Sequence, residues 1–306
     1  MNRFILSFSI AVMFAYLVFA APTYSLSTVE EPNAASVFLQ SGIEKLLHGN
    51  YQEAIENFNT AIEIQKDFAP AYSDRCLAYL ELADYQSAIA DCNQALKLTP
   101  DNVEAHLNRG LAYYRLGEYR QAIADNNQVI VLKPDDFRAY YNRGIAQAML
   151  GNHQKAISDY NLALITIPQT STLRLADIYN DRGLAWFELS NLPSAMDDFS
   201  KAIHLNPHDY RAYYNRGCAC GRSGDNSCAI RDFTASLQLQ PDNAQAYLNR
   251  GIADHQLGYE QAAIKDLQKA VEYFAQEGVT TSYEKTLNLL KDLQQQLSSQ
   301  LEIALI

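Results

Sequence analysis

The residues of this chain that could do acid–base or metal chemistry are few and scattered. There are six histidines, and the only closely spaced pair is His204 and His208, with Pro207 between them. Because proline interrupts a helix, the two rings are not expected on one helical face, so no metal pair is predicted there. No nucleophile motif, phosphate-binding loop or paired set of acids is found. The sequence predicts no enzyme, with no catalytic residue, no metal site and no cofactor.

The five cysteines form two local groups, Cys76 with Cys92, and Cys218 with Cys220 and Cys228. In an oxidising compartment Cys76 could pair with Cys92, and Cys220 with Cys228, if each pair meets the Cα separation of about 4.4–6.8 Å. The favoured interpretation is that they are buried thiols replacing small core residues. As a zinc site, the second group lacks a fourth ligand and a usable spacing.

Arginine and aspartate recur at a fixed distance along most of the chain. Six arginines are each followed sixteen residues later by an aspartate. The pairs are Arg75 and Asp91, Arg109 and Asp125, Arg143 and Asp159, Arg182 and Asp198, Arg216 and Asp232, and Arg250 and Asp266. One earlier copy of the pattern has Ser41 and Asn57, so both charges are absent together. Because a guanidinium binds a carboxylate through two parallel hydrogen bonds, we predict structural ion pairs and not a ligand site.

These pairs belong to a longer repeat, which is clearest between Asn108 and Pro134. The slot of Gly110 recurs at steps of 34 residues, with one step of 39. Its equivalents are Gly42, Cys76, Gly144, Gly183, Gly217 and Gly251. Such a period is typical of a solenoid of stacked units. We predict seven repeats, at 35–68, 69–102, 103–136, 137–175, 176–209, 210–243 and 244–277, the fourth carrying five extra residues.

Each repeat is predicted to contain two amphipathic helices, A and B, and positions are counted from its first residue. The turn between them carries glycine in five repeats, and proline closes helix B in five repeats. Position 20 is alanine in all seven. Small side chains at positions 8 and 20 let the two helices approach closely, and a mostly bulky residue at position 24 fills the adjoining groove. The extra residues near 169–176 are expected to start the next helix A early or to form a binding loop.

This pattern resembles the tetratricopeptide repeat, whose small residue at 8, tyrosines at 11 and 17, alanine at 20 and proline at 32 recur here. The resemblance covers residues 35–277, with departures at Cys76, Asn126, Lys66 and Ala275. It implies an all-α solenoid wound into a right-handed superhelix. It also implies an inner face that is lined by the A helices and usually binds a peptide.

The resemblance places positions 2, 5, 6, 9, 12 and 13 of helix A on that inner face. Position 6 is an amide or carboxylate in every repeat, and such a ladder can bond both the N–H and C=O groups of an extended backbone. The predicted peptide-binding residues are Asn108, Leu111, Arg138, Tyr141, Asn142, Ile145, Arg211, Tyr214, Asn215 and Asn249. Two alternatives stay open: the amides bond only neighbouring helices, and the tyrosines are packed spacers. The lysines of a carboxylate clamp are missing.

The net charge of −11 restricts the partners. An acidic chain does not suit a nucleic-acid backbone or an anionic lipid surface, both of which attract basic proteins. A protein or peptide partner is expected, with no nucleic acid and no small-molecule substrate. A membrane enters only if the N-terminal signal stays uncleaved.

The two ends have their own predicted roles. Residues 1–20 read as an export signal, with Arg3 before an apolar run and a small-residue cleavage site at Ala20. An uncleaved anchor is the alternative. Residues 21–34 read as a flexible linker, and 278–306 as a capping helix and tail whose leucine stripe could instead dimerise.

The sequence therefore predicts an exported, non-catalytic scaffold or co-chaperone that binds an extended peptide. The expected location is periplasmic or lumenal, or secreted. A structural assembly or regulatory subunit, associating through its cap or convex face, is the alternative.

Overall fold

A computed structural model describes residues 33–304, and this part of the chain is all-helical. Its helices are α1 Ala34–Leu47, α2 Tyr51–Ile64, α3 Ala69–Glu81, α4 Tyr85–Leu98, α5 Val103–Arg115, α6 Tyr119–Leu132, α7 Phe137–Met149, α8 His153–Thr166, α9 Thr172–Glu188, α10 Leu192–Leu205, α11 Tyr210–Ser223, α12 Asn226–Leu239, α13 Ala244–Gln256, α14 Glu260–Gln276 and α15 Thr280–Ala304. The predicted signal 1–20, nearly all of the linker 21–34 and the last two residues lie outside the described residues. Between residues 33 and 304 no helix combines the length and apolar character needed to cross a membrane.

The helices form seven antiparallel hairpins, one for each predicted repeat, followed by α15. The described chain falls into two compact units, which we call the N-terminal unit, residues 33–167, and the C-terminal unit, residues 168–304. Inside each unit every helix B also packs against helix A of the next repeat. The division between units falls at Pro168, where the five extra residues of the fourth repeat begin.

The turn between helices A and B needs one residue in the left-handed conformation. Gly117 supplies it with a φ of 78°, and glycine occupies the same slot in four other repeats. Where glycine is missing, Ala83 and Ser190 adopt the conformation, with φ values of 59° and 62°. The turn geometry therefore holds in every repeat, although a side chain there costs free energy that glycine avoids.

The contact between helices A and B depends on size matching at positions 8 and 24. The ring of Tyr160 lies against Gly144, and a Cβ at that glycine would come within 2.7 Å of the ring. Phe199 and Phe233 pack in the same way against the glycines of their own repeats. Repeat three differs, because Gly110 faces the smaller, fully buried Asn126.

The cysteines are disulfide-bonded, so the favoured interpretation as buried thiols is wrong for four of them. Cys76 and Cys92 are linked with their Cα atoms 5.5 Å apart, and Cys220 and Cys228 with theirs 5.7 Å apart. Each disulfide joins helix A to helix B of its own hairpin, where facing positions come within disulfide range. Cys218 remains a free, buried thiol. Burial raises the pKa of this thiol to about 12.

Two departures from the regular repeat, the insertion after Pro168 and the missing proline of repeat seven, are each accompanied by a longer helix. Helix α9 begins at Thr172 and has 17 residues, so part of the insertion extends helix A of repeat five. Helix α14 also has 17 residues, as expected where the closing proline is missing. Helix α15 packs on α14 through the buried side chains of Leu290 and Leu293. These two leucines belong to the predicted stripe, so in this structure the stripe covers the end of the solenoid.

Candidate peptide-binding surface

The inner face of each unit is formed by its A helices. Helix α3 contacts both α1 and α5, α5 contacts α7, and α11 contacts both α9 and α13. Among the described residues no two B helices make a comparable set of contacts. Because the A helices lie closer together than the B helices, each stack curves with its A helices on the concave side.

Every repeat after the first has an arginine on helix A that clamps an aspartate on helix B. In repeat three, Nε and Nη2 of Arg109 donate to the two oxygens of Asp125 at 2.9 and 2.6 Å. The other five predicted pairs, from Arg75–Asp91 to Arg250–Asp266, have the same two-bond geometry. The hydrogen bond and charge of Asp125 outweigh the effect of burial and raise the pKa of Arg109. These side chains link helix A to helix B within one repeat.

The same arginines also reach the preceding repeat, a contact that sequence reasoning missed. Nη1 of Arg109 donates to Asn93 on α4 at 2.6 Å, and Nη1 of Arg143 donates to Asn127 on α6 at 2.7 Å. Arg75, Arg216 and Arg250 make the equivalent bond to Asn59, Ser200 and Thr234. The available signal was the recurrence of Asn, Ser or Thr at position 25 of repeats one to six. Each of these five arginines therefore links its own hairpin to the one before.

Repeat three has a buried histidine where most repeats have a tyrosine. Tyr72, Tyr140, Tyr179 and Tyr247 at this position each lie under the arginine of their repeat. His106 instead places Nδ1 3.0 Å from Asp125 and Nε2 3.1 Å from the carbonyl of Pro100. Asp125 thus accepts hydrogen bonds from two side chains, which makes this the most polar of the repeat cores.

Arg138 and Arg211, predicted as cations for a ligand, are already paired within the chain. Arg138 donates to Glu104 at 2.7 Å and to Asp136 at 2.7 Å. Arg211 likewise bonds Asp177 at 2.9 Å and Asp209 at 2.8 Å. Burial alone would lower the pKa of Arg138, but hydrogen bonds to Asp136 and Glu104 raise it. Each arginine therefore bonds two carboxylates of the chain, which compensate its positive charge.

The inner-face amides of the C-terminal unit are connected to one another. Nδ2 of Asn215 donates to Oδ1 of Asn180 at 2.9 Å, which joins α11 to α9. Nδ2 of Asn249 donates to the hydroxyl of Tyr214 at 3.1 Å, and its Oδ1 accepts from Gln245 at 3.3 Å. Asn249 is 0% exposed. In this unit Asn215 and Asn249 therefore each bond a side chain of the preceding A helix.

The N-terminal unit offers the more accessible part of the predicted surface. Leu111, Asn142 and Ile145 are partly exposed, whereas Asn108 is buried. Among the described residues no hydrogen bond joins Asn108 to Asn142, whereas the equivalent amides of the C-terminal unit, Asn215 and Asn249, bond Asn180 and Tyr214. Tyr141 lies 6.0 Å from the ring of Tyr160, and so packs on the hairpin core. Tyr214 packs in the same way on Phe233, with ring centroids 5.8 Å apart.

One acid on this surface carries an unusual charge state. Burial, together with the nearby charge of Glu104, raises the pKa of Asp74 to about 7. Asp74 occupies position 6 of repeat two, where four other repeats have asparagine. A protonated carboxyl donates and accepts hydrogen bonds as an amide does, so Asp74 extends the amide ladder below neutral pH.

The hairpins and their stacking within each unit define a solenoid of helical repeats. A family model described as "TPR repeat" matches residues 77–117 and 112–151, and one described as "Tetratricopeptide repeat" matches residues 214–277. These segments are tetratricopeptide repeats, and such domains generally bind protein or peptide partners.

Solved structures share this fold. A tetratricopeptide repeat protein from Parabacteroides merdae is 19% identical, with a TM-score of 0.63 over 83% of this chain and 98% of that one. A chain in an APC/C hetero-tetramer, Cut9-Hcn1, is 20% identical, with a TM-score of 0.64 over 73% of this chain. This chain covers 43% of the length of that protein. A third, YrrB, is 19% identical, with a TM-score of 0.51 over 63% of this chain and 97% of that one.

Proposed function

We propose that this protein is an exported, non-catalytic scaffold or co-chaperone that binds an extended segment of another protein along its A-helix face. The observation that carries the proposal is the placement of the A helices on the concave side of each unit. The partial exposure of Leu111, Asn142 and Ile145, all on A helices of the N-terminal unit, supports the proposal.

The chemistry of this strip suits a backbone more than a charged side chain. The amide of Asn142 can donate to a C=O group and accept from an N–H group of an extended chain. Leu111 and Ile145 offer apolar contact beside it, and Arg138 is neutralised by Glu104 and Asp136. An extended segment of neutral or basic character fits such a surface better than an acidic one. YrrB, which has the same fold, is described as having an unusual peptide-binding site.

Binding to the inner face is testable with matched variants. The full chain is used to purify its partner, and an extended segment of that partner is then titrated by fluorescence anisotropy. Replacing Asn142 and Ile145 by alanine removes two hydrogen-bonding groups and an apolar contact from this strip. At about 1 kcal/mol for each lost bond, the double variant should bind at least about tenfold more weakly.

The control is Gln128→Ala, an exposed amide on helix B of repeat three. It should leave the affinity unchanged. Unchanged affinity in the double variant, with circular dichroism showing an intact fold, would place the site elsewhere. Export is tested separately, by asking whether the protein isolated from its source begins after Ala20.

A second candidate function, assembly through the convex face, is favoured by one observation. Val131 on α6 and Ile165 on α8 occupy the same position of consecutive repeats and are 74% and 77% exposed. The corresponding positions elsewhere carry polar or charged residues, such as Lys97 and Glu272. Val131→Asp with Ile165→Asp should break assembly while leaving peptide binding intact, as measured by analytical ultracentrifugation with the purified partner complex.

A further inference from the structure

Repeat six contains a cluster of sulfur atoms at the end of its hairpin. The disulfide Cys220–Cys228 joins the last turn of α11 to the first turn of α12. The Sδ atom of Met196, on α10, lies 3.9 Å from the Sγ atom of Cys220. Three sulfur atoms from three helices therefore lie close together. No other repeat has a cysteine at the positions of Cys220, Cys228 or Met196.

A carboxylate lies beside this cluster, but it is already hydrogen-bonded to an arginine. Oδ2 of Asp232 is 3.9 Å from Sγ of Cys228, and the cysteines and this carboxylate are close enough to share an ion. However, both oxygens of Asp232 accept from Arg216, at 2.7 and 2.8 Å. Recruiting Asp232 to a metal would break the arginine clamp of its repeat. The donors that remain are the two cysteine sulfurs and one thioether.

We propose that reduction of the Cys220–Cys228 disulfide creates a copper(I) site formed by Cys220, Cys228 and Met196. A thiol or phosphine reductant supplies two electrons, the S–S bond breaks, and two protons complete two thiols. Binding of one copper(I) ion then releases those two protons as the thiolates form. Soft thiolate and thioether donors select copper(I) over harder divalent ions.

The geometry suits three-coordinate binding. If the metal–sulfur bonds are about 2.3 Å, as for zinc thiolates, the sulfurs of a trigonal site are separated by about 4.0 Å. The separation between Met196 and Cys220 already has this value, at 3.9 Å. Cys228 sits in the first turn of α12, where its N–H donates to Asp225 at 2.9 Å. Positive charge at a helix N-terminus stabilises a thiolate in that turn. Because Cys228 is partly exposed, an ion has a route to the cluster.

The second disulfide of the chain serves as a matched control. Cys76 and Cys92 link the two helices of repeat two, and both are fully buried. Among residues 33–299, whose side chains the structure describes, the thioether that contacts a disulfide-bonded cysteine is that of Met196, beside Cys220. The two disulfides therefore differ in the feature that the proposal requires.

The test is an anaerobic copper(I) titration of the full chain in competition with a chromophoric chelator. It is done before and after reduction with a phosphine that is removed by desalting. The reduced chain should bind one copper(I) per molecule in a form that Cys220→Ser with Cys228→Ser abolishes, and the oxidised chain should not. Met196→Leu, which conserves side-chain volume, should weaken binding by roughly tenfold or more, since even outer-shell changes cost about that much. Cys76→Ser with Cys92→Ser should retain the site.

Several results would overturn the assignment. These are equal binding by the oxidised chain, no effect of Met196→Leu in a chain of unchanged helix content, or loss of the site on Cys218→Ala. A site that prefers zinc and is lost on Asp232→Asn would also overturn it, because the carboxylate would then be a ligand.

Discussion

The N-terminal and C-terminal units share one hairpin design but fill its centre differently. In the C-terminal unit position 24 is Phe199, Phe233 or Leu267, and each of these side chains is fully buried. In the N-terminal unit it is Phe58, Cys92, Asn126 or Tyr160, so the filling changes from repeat to repeat. The same slot thus holds a uniform apolar core in one unit and includes a disulfide and an amide in the other.

The amide at Asn126 has consequences for stability. Its side chain is 1% exposed, its Nδ2 donates to the carbonyl of Ala122, and its Oδ1 has no partner. An unpaired buried acceptor costs about 1–3 kcal/mol. Since each repeat of a solenoid is stabilised mainly by itself and its neighbours, repeat three should be the region of the N-terminal unit that opens first.

The largest expected effect is at the apolar filling of the C-terminal unit. Phe233→Ala removes a fully buried ring that covers Gly217 and touches Tyr214. Deleting such a ring should cost about 3–5 kcal/mol. Amide hydrogen exchange on α11 and α12 measures the local loss directly, which matters because solenoids need not unfold in one step.

The matched change in the N-terminal unit is Asn126→Ala at the same position. Because Asn126 brings its own unpaired acceptor, we expect this change to cost less than 1 kcal/mol or to be neutral. Equal losses at Phe233 and Asn126 would mean that the two units do not differ in the way their centres suggest.

The next effect concerns the arginine clamps, which both units share. Asp125→Ala in repeat three leaves Arg109 and His106 without their common acceptor. Asp232→Ala in repeat six removes the acceptor of Arg216 alone. Breaking one partner of a buried pair costs about 3–5 kcal/mol, and partial exposure of the arginines reduces this to about 2–3 kcal/mol. We expect the larger loss for Asp125→Ala, in urea unfolding followed by circular dichroism.

A matched control exists in repeat one, where Asn57 replaces the aspartate. Asn57→Ala should change the midpoint very little. A loss for Asp232→Ala that equals or exceeds the loss for Asp125→Ala would show that His106 contributes nothing to the clamp.

Most of this fold is predictable from sequence because each repeat gives the same information independently. Alanine at position 20, left-handed turns and a fixed separation of arginine and aspartate all follow from local rules that recur seven or six times. The helix hairpins and the six clamps could therefore be derived from spacing alone. The disulfides could be named but not assigned, since sequence does not give the distance between Cys220 and Cys228.

The surface was harder to predict, because its chemistry depends on partners from other repeats. Arg138 looks like a free cation in sequence, yet Glu104 lies one repeat earlier and neutralises it. Asn249 looks like a ligand-facing amide, yet its bond goes to Tyr214 on the preceding helix A. Met196 joins Cys220 only after two hairpins stack. Pairings of this kind require the three-dimensional register of the stack.

A smaller effect than the loss of a clamp is expected from a pH dependence in the C-terminal unit, at Asp254. This side chain is 6% exposed, and burial and the charge of Asp266, opposed by Arg250, raise its pKa to about 6. An unfolded aspartate ionises near pH 4, so between about pH 4 and pH 6 the folded chain holds the proton more tightly. The stability contributed by the protonated carboxyl is therefore complete below pH 4 and is lost as pH rises through 6.

Asp254→Asn keeps the shape and removes this titration. Relative to the native chain, the free energy of unfolding of the variant should rise by about 1 kcal/mol between pH 5 and pH 8. Thermal unfolding at a series of pH values measures it, and the exposed Asp101→Asn provides the control that should run parallel to the native chain. If the Asp254→Asn and native curves stay parallel instead, Asp254 ionises in the folded chain as it does in the unfolded one. Burial of Asp254 beside the clamp of Arg250 and Asp266 would then cost the C-terminal unit nothing.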